Sequence, residues 1–239
     1  PQGTYVLDNE SAAEMARLLD QDKMMTEAMG GLFSELVNEE LTAIHDVLDI
    51  GCGPGGWVHE VARVYPTMQV TGIDISKRMI EYASAYKKVL ELSNVHFLVM
   101  DALEPLEFPD ASFDLVNVRT AVAYIPTTSW PSFLAECVRV LRPGGKLRLT
   151  DADGGLTNKP AVEKFTMLGA QALQRIGRGF SPNGHHQGMI YMLKYLLRQA
   201  GLQDILTRSC ILDGSYGERA HKAMLENCQM LFTLAQPFF

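Results

Sequence analysis

The sequence is poor in cysteine, in basic residues and in long apolar runs. Its 239 residues contain 4 cysteines without the paired spacing of a metal site, and we predict no bound metal. Lysine and arginine total 21 against 28 aspartates and glutamates, which argues against a nucleic-acid partner. No apolar run approaches the length of a membrane span, so no membrane partner is expected. Unpaired thiols predict a cytoplasmic protein.

Strand-like and helix-like segments alternate along the chain. This order predicts an α/β fold, a three-layer, doubly wound and mostly parallel sheet with helices on both faces. Strands are predicted near residues 47–49, 70–74, 95–100, 113–116, 146–151 and 203–211. Helices are predicted at 11–29, after Ser76, after Ser129, at 161–176, 189–200 and 217–234. A closing seventh strand cannot be located.

A glycine cluster follows the first predicted strand. Gly51, Gly53 and Gly56 lie between an apolar run and a helix-like pattern, where glycines let the backbone approach a ligand at a helix N-terminus. Their spacing also satisfies the dinucleotide pattern, with Asp74 at a fitting distance. The glycines alone therefore predict a nucleotide-like cofactor and leave an NAD-dependent oxidoreductase as an alternative.

Three carboxylates follow successive predicted strands. Asp49, Asp74 and Asp101 stand at the strand ends where ligands bind in open parallel sheets. One acid should contact ribose hydroxyls, whereas the other two favour a ligand with cationic or donor groups, because a buried carboxylate needs a partner. A pyrophosphate would not require an acid as close as Asp49. S-adenosylmethionine, which carries an ammonium, a sulfonium and an adenine amino group, would.

Together these motifs resemble the class I S-adenosylmethionine-dependent methyltransferases. The resemblance runs from about Asp46 to Asp153 and is strongest to small-molecule enzymes of quinone, sterol and natural-product biosynthesis. Residues 48–55 resemble the motif whose glycine loop holds the methionine moiety. Asp74 resembles the acid that binds ribose, and Asp101 with Ala102 the pair that contacts adenine. Residues 113–116 and 141–147 resemble the fourth strand and the turn into the fifth.

The resemblance implies S-adenosyl-L-methionine as cofactor and in-line methyl transfer to an O, N or C atom of a small molecule. Its cofactor-binding residues would be Asp49, Gly51, Cys52, Gly53, Gly55, Asp74, Ile75, Met79, Asp101, Ala102, Asn117 and Arg119. The Asn/Asp-Pro-Pro-Tyr motif of exocyclic-amine DNA methyltransferases is missing after the fourth strand. A catalytically silent cofactor-binding protein is a further alternative, which the three intact acids disfavour.

We treat residues 1–239 as one domain with four parts. These are an N-terminal helical cap (1–40), a cofactor-binding core (41–153), a helical lid or acceptor insertion (154–200), and a C-terminal strand and helix (201–239). Long excursions are commonly lids, so residues 154–200 and the N-terminal helix are expected to cover the cofactor together. A homodimer is possible.

The candidate catalytic residues lie near this excursion. His185 and His186 in its central loop are the preferred general bases, although they also fit a solvated turn with incidental histidines. Asp153 and Tyr124, after the fifth and fourth strands, are comparable candidates. Met25 and neighbouring methionines of the first helix could line an apolar pocket or belong to an ordinary core.

Overall fold

A computed structural model describes residues 11–154 and 157–235 of the chain. Its helices are α1 (Ala12–Ala28), α2 (Asn38–Thr42), α3 (Gly56–Val64), α4 (Lys77–Val89), α5 (Trp130–Val140), α6 (Pro160–Arg175), α7 (Met189–Gln199) and α8 (His221–Ala235). Its strands are β1 (Asp46–Ile50), β2 (Gln69–Asp74), β3 (Val95–Val99), β4 (Phe113–Arg119) and β5 (Leu141–Thr150). The predicted α/β class is confirmed.

The five strands form one parallel sheet in the order β3-β2-β1-β4-β5. The chain moves outward from β1 to β3 on one side and then returns to place β4 and β5 on the other. In open sheets of this kind, a ligand crevice forms at the carboxyl ends of the two strands where the order reverses. The topology therefore places a crevice above β1 and β4.

Each sheet face is covered by its own apolar layer. Val47 of β1 faces a layer that includes Trp57 of α3, whereas its neighbour Leu48 faces a layer with Trp130 of α5. Successive strand residues point to opposite faces, so an apolar run such as Val47–Leu48 is typical of a strand buried on both sides. The result is the three-layer arrangement predicted from the sequence.

Helix α7 belongs to one of these layers. Met189 and Leu196 of α7 are buried with α5 in the same apolar cluster. The second half of the 154–200 excursion therefore covers the sheet, and this part does not form the lid that we expected. An amphipathic pattern reports that a helix buries one face, but it does not report which surface the helix packs against.

The strand predicted at residues 203–211 is not formed. Leu206 and Ile211 are 90% and 88% exposed, and within the described residues no further strand lies beside β5. An isolated strand leaves its backbone N–H and C=O groups unpaired, so a strand-like composition does not produce a strand without a neighbour.

Helix α1 begins and packs as its sequence suggests. The Ser11 hydroxyl accepts a hydrogen bond from Glu14 N at 3.0 Å and caps the first turn. Glu14 and Arg17 form a buried ion pair, and Arg17 Nη1 donates to Asn227 Oδ1 of α8 at 2.9 Å. Helix α8 therefore holds α1 in place.

Among the described residues, no helix combines the length and apolarity needed to cross a membrane.

Candidate active site

A cleft of about 1100 Å³, open to solvent, lies above the carboxyl ends of the strands. Its walls come from α1, the loop after β1, and the ends of β2, β3 and β4. Of the predicted cofactor residues, it is lined by Asp49, Gly51, Cys52, Gly53, Asp74, Ile75, Met79, Asp101, Ala102 and Arg119. Gly55 and Asn117 do not line it. The crevice expected from the topology is thus built largely from the predicted residues.

The glycine loop turns sharply beneath the cleft. Gly51 N and Cys52 N both donate to Ile73 O at 2.9 Å, which ties the loop to β2. Gly51 has a φ of 71°, in the left-handed region that favours glycine. A β-carbon on Gly55 would lie 2.8 Å from the Phe97 ring, so Gly55 serves packing beside α3 rather than the cleft.

Asp74 connects this loop to the next helix. Its Oδ2 accepts from Gly53 N at 2.9 Å and its Oδ1 accepts from Ser76 N at 2.8 Å. Burial raises the pKa of Asp74, and these two N–H groups act in the opposite direction. A carboxylate offers about four acceptor positions, so Asp74 retains capacity for two hydroxyl donors.

Asp49 is the most buried acid in the cleft wall, at 4% exposure. Its Oδ1 accepts from Asn117 Nδ2 at 2.7 Å, and Oδ2 has no hydrogen-bond partner among the residues that the structure describes. Burial raises the pKa of Asp49 to about 7, although the Asn117 bond lowers it. A carboxylate in this position is stabilised by a cationic partner in the cleft.

The third acid shares the cleft wall with apolar residues. Asp101 Oδ1 accepts from Leu103 N at 2.9 Å, which fixes the turn after β3. Ile75, Met79 and Ala102 line the adjoining wall. An acceptor oxygen in a wall with apolar side chains fits an aromatic ring that carries an amino group.

Comparisons with known proteins agree with this geometry. Residues 47–145 match the methyltransferase domain family. Over these residues the chain is similar to class I S-adenosylmethionine-dependent methyltransferase domains. The methyl donor of such domains is S-adenosyl-L-methionine.

Two curated methyltransferases are similar to this chain over part of their length. O-methyltransferase cnsE of Penicillium expansum is 35% identical over 51% of this chain and 44% of its own. The 27-O-demethylrifamycin SV methyltransferase of Amycolatopsis mediterranei is 36% identical over 58% of this chain and 47% of its own. The chain therefore spans about half the length of the curated relatives it matches.

A solved structure shares the fold. Phosphoethanolamine N-methyltransferase 2 of Haemonchus contortus, in complex with S-adenosyl-L-methionine, superposes with a TM-score of 0.54 at 24% sequence identity. The match covers 81% of this chain and 40% of that one.

Helix α1 supplies a wall of the cleft, and of its lining residues only Met25 is predicted from the sequence. Leu18, Gln21, Asp22 and Met25 face the cleft from one side of the helix. Asp22 Oδ1 pairs with Arg119 Nη1 at 2.7 Å, which joins α1 to the end of β4. The available signal was the helical spacing of these residues, in which a glutamine and an acid lie between two apolar side chains.

Tyr124 lines the cleft, but its hydroxyl is already engaged. The Tyr124 hydroxyl donates to Ile50 O at 3.1 Å. Burial raises the pKa of Tyr124 well above its usual value, and the nearby carboxylates of Asp49 and Asp74 act in the same direction. The side chain is therefore suited to shaping the cleft rather than to accepting a proton.

The other three catalytic candidates lie outside the cleft lining. Asp153 accepts from Gln187 N at 2.9 Å and from Gly188 N at 3.0 Å, and so holds the loop that leads into α7. His186 Nδ1 lies 3.9 Å from Asp153 Oδ2, and both His185 and His186 are exposed. The structure does not bring these two histidines or Asp153 to the cofactor residues.

The double variant His185→Ala/His186→Ala tests this placement. We expect the affinity for S-adenosylhomocysteine to stay within about twofold of wild type, because neither ring lines the cleft and exposed substitutions have small effects. Isothermal titration calorimetry measures it. A loss of affinity of more than tenfold would contradict the position of this loop.

Within residues 11–154 and 157–235, no group of three or more His, Cys, Asp or Glu side chains could hold a metal ion.

Proposed function

We propose that the chain is an S-adenosylmethionine-dependent methyltransferase that transfers a methyl group to a small molecule. One observation carries the proposal: Asp49, Asp74 and Asp101 stand at the carboxyl ends of three neighbouring strands and line one cleft above a glycine loop. An NAD pyrophosphate would place negative charge near Asp49, whereas the methionine moiety offers an ammonium.

Different residues of the cleft fit different parts of the cofactor. The glycine loop and Asp49 fit the methionine moiety, Asp74 fits the ribose hydroxyls, and Asp101 with its apolar neighbours fits adenine. S-adenosylmethionine, when bound, supplies a methyl group on a sulfonium, and the neutral thioether formed as the carbon–sulfur bond breaks is a good leaving group. The chain then has to hold an acceptor in line with that group and exclude water, which contributes up to about 7–11 kcal/mol in favourable cases.

The acceptor is expected between α1 and the end of β4. Leu18, Met25 and Ala123 give this half of the cleft an apolar character, and Thr120 adds a hydroxyl. An apolar small molecule fits such a surface. The names of the two curated relatives, an O-methyltransferase and an O-demethylrifamycin methyltransferase, support an oxygen acceptor. Of the aspartates in the described lining, Asp22 is paired with Arg119, and the other three are assigned to the cofactor, which favours catalysis by positioning over catalysis by a general base.

Calorimetric titration with S-adenosylhomocysteine and with NAD tests the cofactor. Binding of the first alone supports the proposal, and binding of NAD alone overturns it in favour of an oxidoreductase. A mass-spectrometric screen of apolar hydroxylated compounds with S-adenosylmethionine then separates an enzyme from a silent cofactor-binding protein.

Cofactor affinity should depend on pH with a defined sign. The ammonium stays charged near neutrality, so binding requires ionised Asp49, whose pKa lies at about 7. Lowering the pH from 7 to 6 should weaken S-adenosylhomocysteine binding about fivefold, because the ionised fraction falls by that factor. Calorimetry across this range measures it. An affinity that rises as the pH falls would indicate an anionic group near Asp49 and would contradict the assignment.

Two further predictions concern the location of the protein and its oligomeric state. A cytoplasmic location is supported by the four cysteines, none of which forms a disulfide. The possible homodimer stays a prediction from the sequence.

A further inference from the structure

Three polar side chains form a row across adjacent strands. Asp49 of β1 lies opposite Asn117 of β4, and Asn117 lies opposite Arg148 of β5. Residues paired in this way in a parallel sheet point to the same face, so their side chains meet. On the other side of Asp49, its partner in β2 is Gly72, which contributes no side chain to the row.

Hydrogen bonds join the row in one direction. Arg148 Nη1 donates to Asn117 Oδ1 at 2.9 Å, and Asn117 Nδ2 donates to Asp49 Oδ1 at 2.7 Å. Arg148 has only donors, so it orients the Asn117 amide with its NH₂ group toward Asp49. The opposite orientation would place the amide oxygen against a carboxylate. Asn117 itself is fully buried and does not line the cleft, so it reaches the cofactor only through Asp49.

Arg148 is held at the far end of the row. Its Nε donates to Glu35 Oε1, and its guanidinium lies over the Trp57 ring at 6.0 Å from the centroid. Burial lowers the pKa of Arg148, while Glu35 raises it. The guanidinium is thus fixed by an ion pair and a ring, and an arginine fixed in this way presents its donors in a set direction.

We propose that Arg148 and Asn117 are positioning residues that orient Asp49 and keep it ionised for the cationic end of the cofactor. This inference rests on the proposed function, since it requires Asp49 to meet a cation. It adds two residues that do not touch the ligand, one of them on a strand that contributes no lining residue to the cleft.

Other charged groups also face Asp49. Asp22 on α1 disfavours its ionised form, whereas Arg119 at the end of β4 and Arg148 on β5 favour it. Cys52 and Tyr124 lie close enough to respond to its charge. Arg119 is already paired with Asp22. Substitution of Arg148 therefore removes the stabilisation of ionised Asp49 that comes through Asn117, and it leaves the Arg119–Asp22 pair in place.

The test compares Arg148→Met with Arg142→Met as the matched control. Arg142 lies on the same strand and pairs with Asp46 and Asp114 at the opposite end of the sheet. Dissociation constants for S-adenosylhomocysteine are measured by calorimetry from pH 6 to pH 9, and thermal unfolding monitors folding. For Arg148→Met we expect affinity about fivefold weaker than wild type at pH 7 and nearly equal to wild type at pH 9. This is the result of moving the midpoint of the affinity–pH profile upward by about one pH unit. The control should follow the wild-type profile.

Each outcome decides the proposal. An unshifted midpoint in Arg148→Met, or an equal loss at every pH, overturns it, because a merely structural role moves affinity without moving the profile. If Arg148→Met does not fold, Arg148→Lys decides by the same criterion, since a lysine that pairs with Glu35 cannot also orient Asn117 as a fixed fork does. If the wild-type chain does not bind S-adenosylhomocysteine at any pH, the proposed function fails instead.

Discussion

Replacing Asp74 with alanine should reduce affinity for S-adenosylhomocysteine by about 10- to 150-fold. Hydrogen bonds to a charged group contribute about 1.5–3 kcal/mol, and each 1.4 kcal/mol corresponds to a tenfold change. The variant also removes the acceptor of Gly53 N, so the glycine loop loses a tie to β2 that exists before any ligand binds. The loss therefore combines missing ribose contacts with a less ordered loop.

Two variants separate these contributions in calorimetric titrations. Asp74→Asn keeps one oxygen that can accept from the loop but removes the charge, and it should lose less affinity than Asp74→Ala. Asp114→Ala is the matched control, because Asp114 also accepts two backbone N–H bonds, from His45 and Asp46, at the opposite end of the sheet. It should bind as wild type does. Binding by Asp74→Ala within twofold of wild type would show that Asp74 is not the ribose acid.

The cofactor half of this site could be predicted because its signals are local. Asp49, Asp74 and Asp101 each stand at the end of a short apolar run, and parallel strands bring their carboxyl ends to one edge. The glycines mark the turn between β1 and α3 for the same reason. A motif that depends on a few neighbouring residues can therefore be predicted from the sequence alone.

The acceptor half depends on packing between distant segments. Asp22 meets Arg119 across 97 positions of sequence, and no periodicity in α1 specifies that partner. The histidines of the loop before α7 looked suitable by residue type, yet α7 packs on α5 and carries this loop away from the cleft. A residue's chemistry can be read from its type, but its location depends on which surface its helix covers.

The prediction at 203–211 failed for a related reason. A helix satisfies its hydrogen bonds within one segment, so α6 and α7 form close to their predicted bounds. A strand requires a neighbour, and within the described residues β5 has none on its outer side.

The largest effect on stability is expected from Gly51→Ala. A β-carbon there would lie 2.7 Å from the Tyr124 hydroxyl oxygen and 2.8 Å from its Cζ, in a backbone with a φ of 71°. Left-handed backbone costs about 1–2 kcal/mol in a residue with a β-carbon, and overpacking a filled site costs about 1–3 kcal/mol. Together they should reduce the free energy of unfolding by about 2–5 kcal/mol, measured by urea denaturation.

Gly144→Ala isolates the backbone part of this effect. Gly144 has a similar φ of 79°, but a β-carbon there would meet nothing within 4 Å, so this variant should lose only about 1–2 kcal/mol. The difference between the two variants reports the collision with Tyr124. In a double-mutant cycle, Gly51→Ala should cost less unfolding free energy in a Tyr124→Ala background than in wild type. The saving should equal that difference, because removing the ring removes the collision. If Gly51→Ala costs no more than Gly144→Ala, the Tyr124 ring does not press on the glycine loop, and its hydrogen bond to Ile50 O does not fix the wall of the cleft.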